Sequence, residues 1–267
     1  MKYFLLNFDV DYVKGTEKVF PLLFEYLNKK KINSSFFITG YFARDYPQII
    51  KDIQSQNHDL GAHGLNHGFD PTEDFSINDY NYCYKKIKYA HELISDASGI
   101  DEPRIFRAPN LWSSQASVDA LIDLGYSVDS SIGARRLLGR VKNVSHFTSS
   151  LNPYYIKSSR GNLENIILEI PPSASLLAFN LSSLRMFGSY FMYFLSVLYY
   201  KKYNFINFYA HPAEFQHFHE VQYGHDIPSR HKNTGPNSFI LLNNYLSLLK
   251  NKFTIKFESI KKFSETA

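Results

Sequence analysis

Apolar and polar positions follow two kinds of pattern along the chain. Short apolar runs, typical of buried strands, are followed by longer stretches whose apolar residues recur three and four positions apart, as on one face of a helix. The predicted strands are 3–8, 34–39, 58–62, 105–107, 126–129, 166–170 and 205–210, and the predicted helices are 16–31, 47–56, 77–98, 114–124, 184–202 and 238–250. Repeated strand–helix units favour a parallel sheet covered by helices, so the sequence predicts an α/β fold of the (β/α)-barrel type.

Composition supports a single globular domain over residues 1–267. The chain is 44% hydrophobic and 20% charged, without repeats, low-complexity tracts or linkers. The motifs that carry chemistry lie within residues 1–214, so we expect 215–267 to form a loop and a helix that complete the barrel. A net charge of +4 is too small to indicate a nucleic-acid partner.

The N-terminal segment and the cysteine content bear on location. Residues 1–6 are mostly apolar, but Asn7 and Asp9 interrupt them before the apolar region of a signal peptide can form. Cys83 is the only cysteine, so no intramolecular disulfide is possible and nothing indicates an oxidising compartment. The sequence therefore predicts a cytoplasmic location.

An apolar stretch at 186–200 has two interpretations. Its fifteen residues are broken only by one glycine and two serines, whereas a membrane-spanning helix needs about 20 apolar residues. The first interpretation is a buried helix of the barrel. The second is an interfacial helix that touches lipid, with Lys201 and Lys202 at the headgroups. A peripheral membrane contact through 186–200 therefore stays open.

The first motif is Asn7-Phe8-Asp9-Val10-Asp11, in which two carboxylates end an apolar run. Residues two apart in an extended chain point the same way, so both carboxylates can face one site. They would repel each other unless a positive group offset them, and a divalent metal on one would leave the other as a base. Otherwise the motif is a polar strand end whose aspartate caps the next turn.

The second motif is His63-Gly64-Leu65-Asn66-His67. Histidines four apart fall on one face of a helical turn and can ligate one ion, although surface helices also carry such pairs by chance. The spacing resembles that of zinc proteases without their adjacent glutamate, so an upstream aspartate would have to serve as the base. Two imidazoles and one carboxylate suit zinc and leave ligand positions open for water and substrate.

Three more motifs follow strands. In residues 106–110, Arg107 can hold a carboxylate with two hydrogen bonds, and Pro109 rigidifies the loop so that the Asn110 backbone N–H could face an oxyanion. The fourth motif, residues 126–131, contains Asp129, and the fifth, residues 208–212, contains His211. An aspartate beside a histidine would make the imidazole a competent acid. Taken separately, these residues are better explained by a strand-end salt bridge and by structural roles.

Three further groups have both a functional and an ordinary explanation. Glu169 is either a buried structural carboxylate or one that reaches the cleft. A basic cluster either grips a phosphate of a nucleotide or lipid carrier or forms an exposed loop, and it consists of Arg135, Arg136, Arg140 and Lys142. A cluster of four histidines forms either a second metal site or part of a solvated loop, and it consists of His217, His219, His225 and His231.

Taken in order, the five motifs resemble those of the NodB-homology polysaccharide deacetylases, carbohydrate esterase family 4. The resemblance covers residues 1–214 and is closest to the branch of exopolysaccharide-cluster and allantoinase-like enzymes, with Asp-Val-Asp in the first motif and Tyr-Ala-His-Pro in the last. It implies a distorted (β/α)-barrel of about seven parallel strands. It also implies that Asp9 is the general base, tethered by Arg107, and that His211 is the general acid, paired with Asp129.

The resemblance implies a metal site and an oxyanion site as well. The implied metal ligands are Asp11, His63 and His67, with zinc as the expected ion and cobalt, nickel or manganese as alternatives. The Asn110 amide, next to Pro109, would hold the oxyanion. The chain departs from the usual family pattern because a valine separates the first two aspartates, asparagine replaces a common aromatic residue in the third motif, and Tyr-Ala precedes the last histidine.

The resemblance predicts metal-dependent hydrolysis of an N-acyl group, in the first place N-acetyl, from an amino sugar. The substrate would be a polysaccharide, a glycolipid or another glycan-assembly intermediate, including a lipid-linked sugar. Two alternatives stay open, namely a metal-independent hydrolase of a small cyclic or linear amide and a non-catalytic carbohydrate-binding protein. An aspartate together with both histidines favours the metal-dependent enzyme.

Overall fold

The computed structural model of the protein describes residues 1–67, 70, 73–101, 103–133, 149–161, 165–223 and 233–267. The basic cluster at 135–142 and two of the later histidines, His225 and His231, lie outside the described residues. The strands are β1 (Lys2–Val10), β2 (Ser35–Ile38), β3 (Asp59–Ala62), β4 (Ile105–Phe106), β5 (Val128–Asp129), β6 (Tyr154–Lys157), β7 (Ile166–Glu169), β8 (Phe205–Ala210) and β9 (Ile255–Phe257). The helices are α1 (Phe20–Lys30), α2 (Gly40–Asp45), α3 (Pro47–Ser55), α4 (Tyr80–Ser98), α5 (Gln115–Asp123), α6 (Leu181–Tyr200), α7 (Asn237–Lys252) and α8 (Ile260–Ser264).

The described strands form one sheet in the order β6-β7-β5-β4-β3-β2-β1-β8, and β9 also pairs with β1. Neighbouring strands are parallel, except that β6 runs antiparallel to β7. All seven strands predicted from the sequence are present, at boundaries shifted by at most two residues. The prediction of an α/β fold with about seven parallel strands is therefore confirmed.

The two ends of the sheet are joined by contacts that follow β7. The Ser173 backbone N–H donates to the Asn207 carbonyl oxygen at 3.0 Å, and the Asn207 N–H donates to the Ser173 hydroxyl oxygen at 2.9 Å. Asn180 forms an isolated parallel bridge with Tyr209 on β8. The segment after β7 thus lies against β8, and the sheet curves into a barrel that is closed by isolated contacts instead of a continuous ladder.

The alternation along β1 separates the helix-covered core from the barrel interior. Phe4, Leu6, Phe8 and Val10 belong to the large core cluster between sheet and helices. Leu5 belongs to a second cluster inside the barrel. Because side chains alternate across a strand, residues 7 and 9 point the same way as residue 5, into the barrel. Asp9 therefore enters the interior near the carboxyl end of β1.

Four short elements were not predicted, namely α2, β6, β9 and α8. Each has three to six residues. β9 pairs with the first residues of β1, where Lys2 is the partner of Ile255. The C-terminal segment therefore contributes a strand as well as helices to the barrel.

The apolar stretch at 186–200 lies in α6, which begins at Leu181. Its backbone breaks at Gly188, where φ is 79°. Leu184, Met192 and Leu195 are buried against the core, while other large side chains of the helix are exposed. Within the described ranges, no helix combines the length and the apolarity that crossing a bilayer would require.

Candidate active site

The predicted site residues converge at one end of the barrel. Asp9 lies next to the end of β1, His63 follows β3, Arg107 follows β4, Asp129 ends β5 and His211 follows β8. These strands are parallel, so their carboxyl ends share one face of the barrel. In (β/α)-barrels this face carries the active site, because loops from several strands meet there.

Arg107 is fully buried and binds Asp9, as predicted. Its Nη1 donates to Asp9 Oδ1 at 2.8 Å. Its Nε donates to the Ser130 carbonyl oxygen at 3.1 Å and its Nη2 to the Ser130 hydroxyl oxygen at 2.9 Å. The guanidinium carbon lies 4.2 Å from the centre of the Phe37 ring. A buried charge needs both an opposite charge and hydrogen bonds, and this arrangement supplies both while it fixes the Asp9 carboxylate.

A pair of buried amides supports the same arginine and was not identified from the sequence. Asn7 Nδ2 donates to Asn207 Oδ1 at 2.6 Å, and Asn207 Nδ2 donates to Ser130 Oγ at 3.1 Å. Arg107 Nη2 lies 3.4 Å from Asn207 Oδ1. Asn7 stands at an inward position of β1, so a polar residue in the apolar alternation was the available signal.

Residues 63–67 form a loop and not the predicted helical turn. Gly64 has φ 73°, in the left-handed region, and a Cβ added there would lie 2.9 Å from Pro109 Cγ. The backbone N–H groups of Gly40 and Tyr41 at the start of α2 donate to carbonyl oxygens of the loop at 3.0 and 2.9 Å. Both histidines still reach the same site, but the conformation that brings them there depends on a glycine.

Glu73 also holds this loop and had no recognisable signal in the sequence. It is fully buried, and its carboxylate accepts the backbone N–H groups of Leu65 at 2.7 Å and Asn66 at 3.1 Å. Burial raises the pKa of Glu73 above its ordinary value despite these two donors. Glu73 therefore links the loop to the segment that precedes α4.

Asp11, His63 and His67 bring three potential ligand atoms within 4.8 Å of one another. His63 Nε2 lies 3.4 Å from Asp11 Oδ1. Two ligands bound at about 2.1 Å to a tetrahedral ion are separated by about 3.4 Å. The His63 and His67 rings have their centres 5.5 Å apart and are nearly perpendicular, at 82°. One carboxylate and two imidazoles in this arrangement fit a divalent transition metal.

The hydrogen bond on the other side of the His63 ring determines its tautomer. His63 Nδ1 lies 2.7 Å from the Arg107 carbonyl oxygen. A carbonyl oxygen can only accept, so Nδ1 carries a hydrogen and Nε2 is the nitrogen that faces Asp11 and can bind an ion once it is deprotonated. Metal-bound histidines are oriented by this kind of contact, and His63 is therefore held in the form that can act as a ligand.

Three imidazoles surround the carboxylate of Asp11. Burial alone would raise its pKa, but His67, His211 and His63 lower the pKa below its ordinary value. His211 Nε2 lies 3.9 Å from Asp11 Oδ2. His211 therefore borders the potential ligand set.

Glu214, and not the predicted Asp129, is the carboxylate that contacts His211 Nδ1. His211 precedes a 3-10 turn, Pro212–Phe215, which folds Glu214 back onto it. Glu214 Oε2 accepts the His211 backbone N–H at 2.8 Å and lies 3.2 Å from Nδ1. Burial lowers the pKa of His211, but Asp11 and Glu214 raise it to about 10. The predicted pairing is wrong because an acid from the same turn occupies the position beside the ring.

Glu214 is itself anchored by α6. Its Oε1 accepts hydrogen bonds from Arg185 Nη2 and from the Ser182 hydroxyl, both at 2.8 Å. Burial raises the pKa of Glu214, but His211 and Arg185 together lower it well below its ordinary value. The first turns of α6 therefore fix the orientation of the His211 ring through Glu214.

Asp129 lies beside Glu169 inside the barrel. Both side chains are fully buried, and Ser131 donates its hydroxyl hydrogen to Asp129 while the Ile132 N–H donates to Glu169 at 3.0 Å. Burial raises the pKa of Asp129 to about 7, and burial together with the neighbouring Asp129 raises the pKa of Glu169 well above its ordinary value. Of the two interpretations of Glu169, the buried structural carboxylate matches this environment.

Comparison with known proteins agrees with the motif order. The family model for polysaccharide deacetylases matches residues 1–128, which contain the first three motifs. Over these residues the chain is similar to the polysaccharide deacetylase family. It is 35% identical over 125 residues to the peptidoglycan-N-acetylmuramic acid deacetylase PdaA of Bacillus subtilis, and the alignment covers 47% of this chain and 44% of that protein. The match thus spans less than half of the relative's length.

Solved structures share the fold of this protein along nearly its whole length. A Mycobacterium smegmatis protein described as a candidate polysaccharide deacetylase has a TM-score of 0.66 at 14% identity, covering 99% of this chain and 89% of the other. A family 4 pseudoenzyme of Bacillus anthracis has a TM-score of 0.57 at 12% identity, covering 98% and 64%. These likenesses concern the fold alone, so the functional argument depends on the site residues.

The third motif forms a strained turn at the edge of the site. Asn110 is exposed and has φ 55°, and Leu111 follows with φ 59°. Non-glycine residues in the left-handed region are uncommon and often mark functional sites. Pro109 packs next to Gly64, so the turn contacts the loop that carries the two histidines.

Proposed function

We propose that this chain is a metal-dependent deacetylase that hydrolyses the N-acetyl group of an amino sugar in a polysaccharide, glycolipid or other glycan-assembly intermediate. The observation that carries the proposal is one constellation, a potential metal-ligand set flanked by a buried carboxylate and by a histidine with its own carboxylate. The ligand set consists of Asp11, His63 and His67. Asp9 and His211 flank it. The charges of Asp9 and Asp11 both raise the pKa of the His211 ring, as expected for groups that lie close together.

The donor set supports zinc, or else cobalt, nickel or manganese. Asp11, His63 and His67 would hold the ion and leave positions open for water and substrate. When bound, such a metal supplies a Lewis acid that polarises the amide carbonyl and lowers the pKa of a water molecule.

Asp9 is proposed as the general base. Arg107 binds its Oδ1, so the carboxylate has a fixed orientation before substrate arrives. As the water oxygen forms its bond to the amide carbon, one water proton passes to Asp9. The carbonyl oxygen becomes negative in the tetrahedral intermediate, and the backbone N–H of Asn110 is proposed to stabilise it.

His211 is proposed as the general acid. The carboxylates of Asp11 and Glu214 raise its pKa, which favours the protonated ring. Glu214 lies beside Nδ1, so Nε2, on the side of Asp11, is the nitrogen that can give its proton to the sugar nitrogen. The C–N bond then breaks, and acetate and a free amine are released.

An amino-sugar substrate is supported by the B. subtilis relative, whose name states that it deacetylates N-acetylmuramic acid of peptidoglycan. The amide of an N-acetylated sugar has the carbonyl and the leaving nitrogen that the proposed base and acid require. A lipid-linked sugar is the form of substrate that the exposed face of α6, described below, would favour.

The test is acetate release from N-acetylglucosamine oligomers and from glycan strands that contain N-acetylmuramic acid. We expect release by the purified chain to stop on chelation and to return with zinc. Full activity after complete metal removal would instead support the metal-independent hydrolase of small amides. Sugar binding without release from any substrate would support a non-catalytic carbohydrate-binding protein, and either result would overturn the proposal.

A further inference from the structure

The solvent-facing side of α6 is apolar instead of charged. Six large side chains on this helix are exposed: Met186, Phe187, Tyr190, Phe191, Phe194 and Leu198. We call them the α6 stripe. Tyr190, Phe194 and Leu198 are spaced four apart and so lie on one face, and the Phe187 and Phe191 rings have their centres 5.7 Å apart. A surface helix normally turns polar residues outwards, so a continuous exposed apolar face indicates an interaction surface.

Exposed charge is confined to one end of this surface, since the Arg185 side chain at the other end is buried against Glu214. The sequence from Met186 to Tyr200 contains no charged residue, and Lys201 and Lys202 follow, both exposed. From residue 181 to residue 202 there is no acidic side chain. We propose that the α6 stripe docks onto the surface of an anionic membrane, with Tyr and Phe rings among the acyl chains and the two lysines at the headgroups. This proposal does not depend on the chemistry of the active site.

The charge pattern favours a membrane over a second copy of the chain. A symmetric dimer through the α6 stripe would set the two α6 helices side by side, antiparallel or parallel. An antiparallel pair would place Lys201 and Lys202 of one copy near Arg185 of the other, and a parallel pair would place the lysines together. Neither arrangement gives these cations an acidic partner on α6, whereas anionic lipid headgroups neutralise them directly.

The helix also connects the membrane-facing surface with the active site. Arg185, one residue before the α6 stripe, binds Glu214 Oε1 at 2.8 Å, and Glu214 contacts the His211 ring. Asn180, which caps α6, forms a bridge with Tyr209, two residues before His211. The N-terminal end of the α6 stripe therefore lies at the rim of the site. A sugar on a lipid carrier would reach the site there while its lipid stays in the bilayer.

The first experiment measures co-sedimentation of the full chain with vesicles of phosphatidylcholine alone and of phosphatidylcholine mixed with phosphatidylglycerol. We expect binding to the mixed vesicles, and about tenfold or more weaker binding for Tyr190→Ser combined with Phe194→Ser. Ile77→Ser combined with Ile100→Ser is the matched control. The control residues are 76% and 51% exposed, against 79% and 55% for the stripe pair, and the control should bind as the unmodified chain does.

The second experiment tests the charge. Lys201→Glu combined with Lys202→Glu should weaken binding to the mixed vesicles by about tenfold or more, because each cation near an anionic surface contributes to binding. The control is Lys85→Glu combined with Lys86→Glu, which changes the net charge by the same amount. These lysines lie on α4, which packs against α2, α3 and α5. This control should retain binding.

A third measurement reports the contact directly. The only cysteine, Cys83, is buried, so a polarity-sensitive fluorophore can be attached to a new cysteine on the surface. We expect a blue shift with mixed vesicles for a label on Tyr190→Cys and none for a label on Ile77→Cys. No binding to either vesicle, or equal loss in stripe and control variants, overturns the proposal. A dimer that the stripe variants dissociate, without vesicle binding, would assign the surface to a second copy instead.

Discussion

One carboxylate oxygen of Glu214 serves two nitrogen atoms of His211. Oε2 accepts the backbone N–H at 2.8 Å and lies 3.2 Å from Nδ1. A second His-x-x-Glu turn follows directly, in which Glu220 Oε2 accepts the His217 backbone N–H at 2.8 Å. The second turn lacks the contact with the ligand set, so it offers an internal comparison for the role of Glu214.

Glu214→Gln should lower kcat by about tenfold to a hundredfold with little change in KM, because a proton donor would lose its orienting carboxylate. The substitution also removes a negative charge that raises the pKa of His211. A general acid must be protonated, so the alkaline decline of kcat/KM should begin at lower pH in the variant. Glu220→Gln should leave both the rate and the pH profile unchanged. An unaltered profile in Glu214→Gln would remove Glu214 from the mechanism.

His67→Ala should abolish metal binding and activity together, because the loss of one of three ligands leaves an incomplete set. Metal content per chain, measured after dialysis against zinc, should fall close to zero. His91→Ala is the control. His91 lies on α4, its Nε2 is 3.0 Å from Asp101 Oδ1, and it is outside the ligand set. An active, metal-loaded His67→Ala protein would refute the assignment.

Arg107→Lys should lower the free energy of unfolding by about 2 kcal/mol or more, because a lysine cannot replace the fork that binds Asp9 and Ser130 together. Denaturant unfolding measures the difference. Arg44→Lys is the comparison, since Arg44 forms an exposed ion pair with Asp45 at 2.7 Å. Exposed pairs contribute about 1 kcal/mol or less, so Arg44→Lys should change stability little. Equal effects of the two substitutions would contradict the role of the buried arginine.

Gly64→Ala should destabilise the protein more than Gly99→Ala does. Both glycines have positive φ, 73° and 77°, so alanine is strained at both, by about 1 kcal/mol. At Gly64 the new methyl group would also lie 2.9 Å from Pro109 Cγ, whereas nothing lies within 4 Å at Gly99. Metal affinity should weaken only in Gly64→Ala, because its loop carries the histidines. Calorimetric unfolding and zinc titration of both variants give the comparison, and matching results would argue against it.

Asp129→Asn should gain stability relative to the unmodified protein as the pH rises. Burial raises the pKa of Asp129 from 3.8 to about 7, so within that range the folded protein keeps a proton that the unfolded chain releases. The free energy of unfolding therefore falls with rising pH, and asparagine removes this contribution. The difference in Tm should grow between about pH 4 and pH 7. A pH-independent difference would show that Asp129 does not titrate in this range.

The local sequence pattern was enough to predict which segments form strands and where the motifs lie relative to them. A strand of period two places Asp9 on the inward side of β1 whatever surrounds it. Carboxyl ends of parallel strands share one face, so Asp9, His63, Arg107 and His211 had to approach each other once the fold class was known. The contact between Arg107 and Asp9 was implied by the family resemblance, and the charges and positions of the two residues agree with it.

Tertiary structure alone decided which of several possible partners meet. Asp129 and Glu214 both stand near strand ends, and only the 3-10 turn after β8 brings Glu214, and not Asp129, to the His211 ring. The left-handed Gly64 and the supporting Glu73 depend on contacts between distant segments, which no periodicity records. Tertiary structure also decided which face of α6 is exposed. An apolar run without a polar side does not show locally which face the core covers.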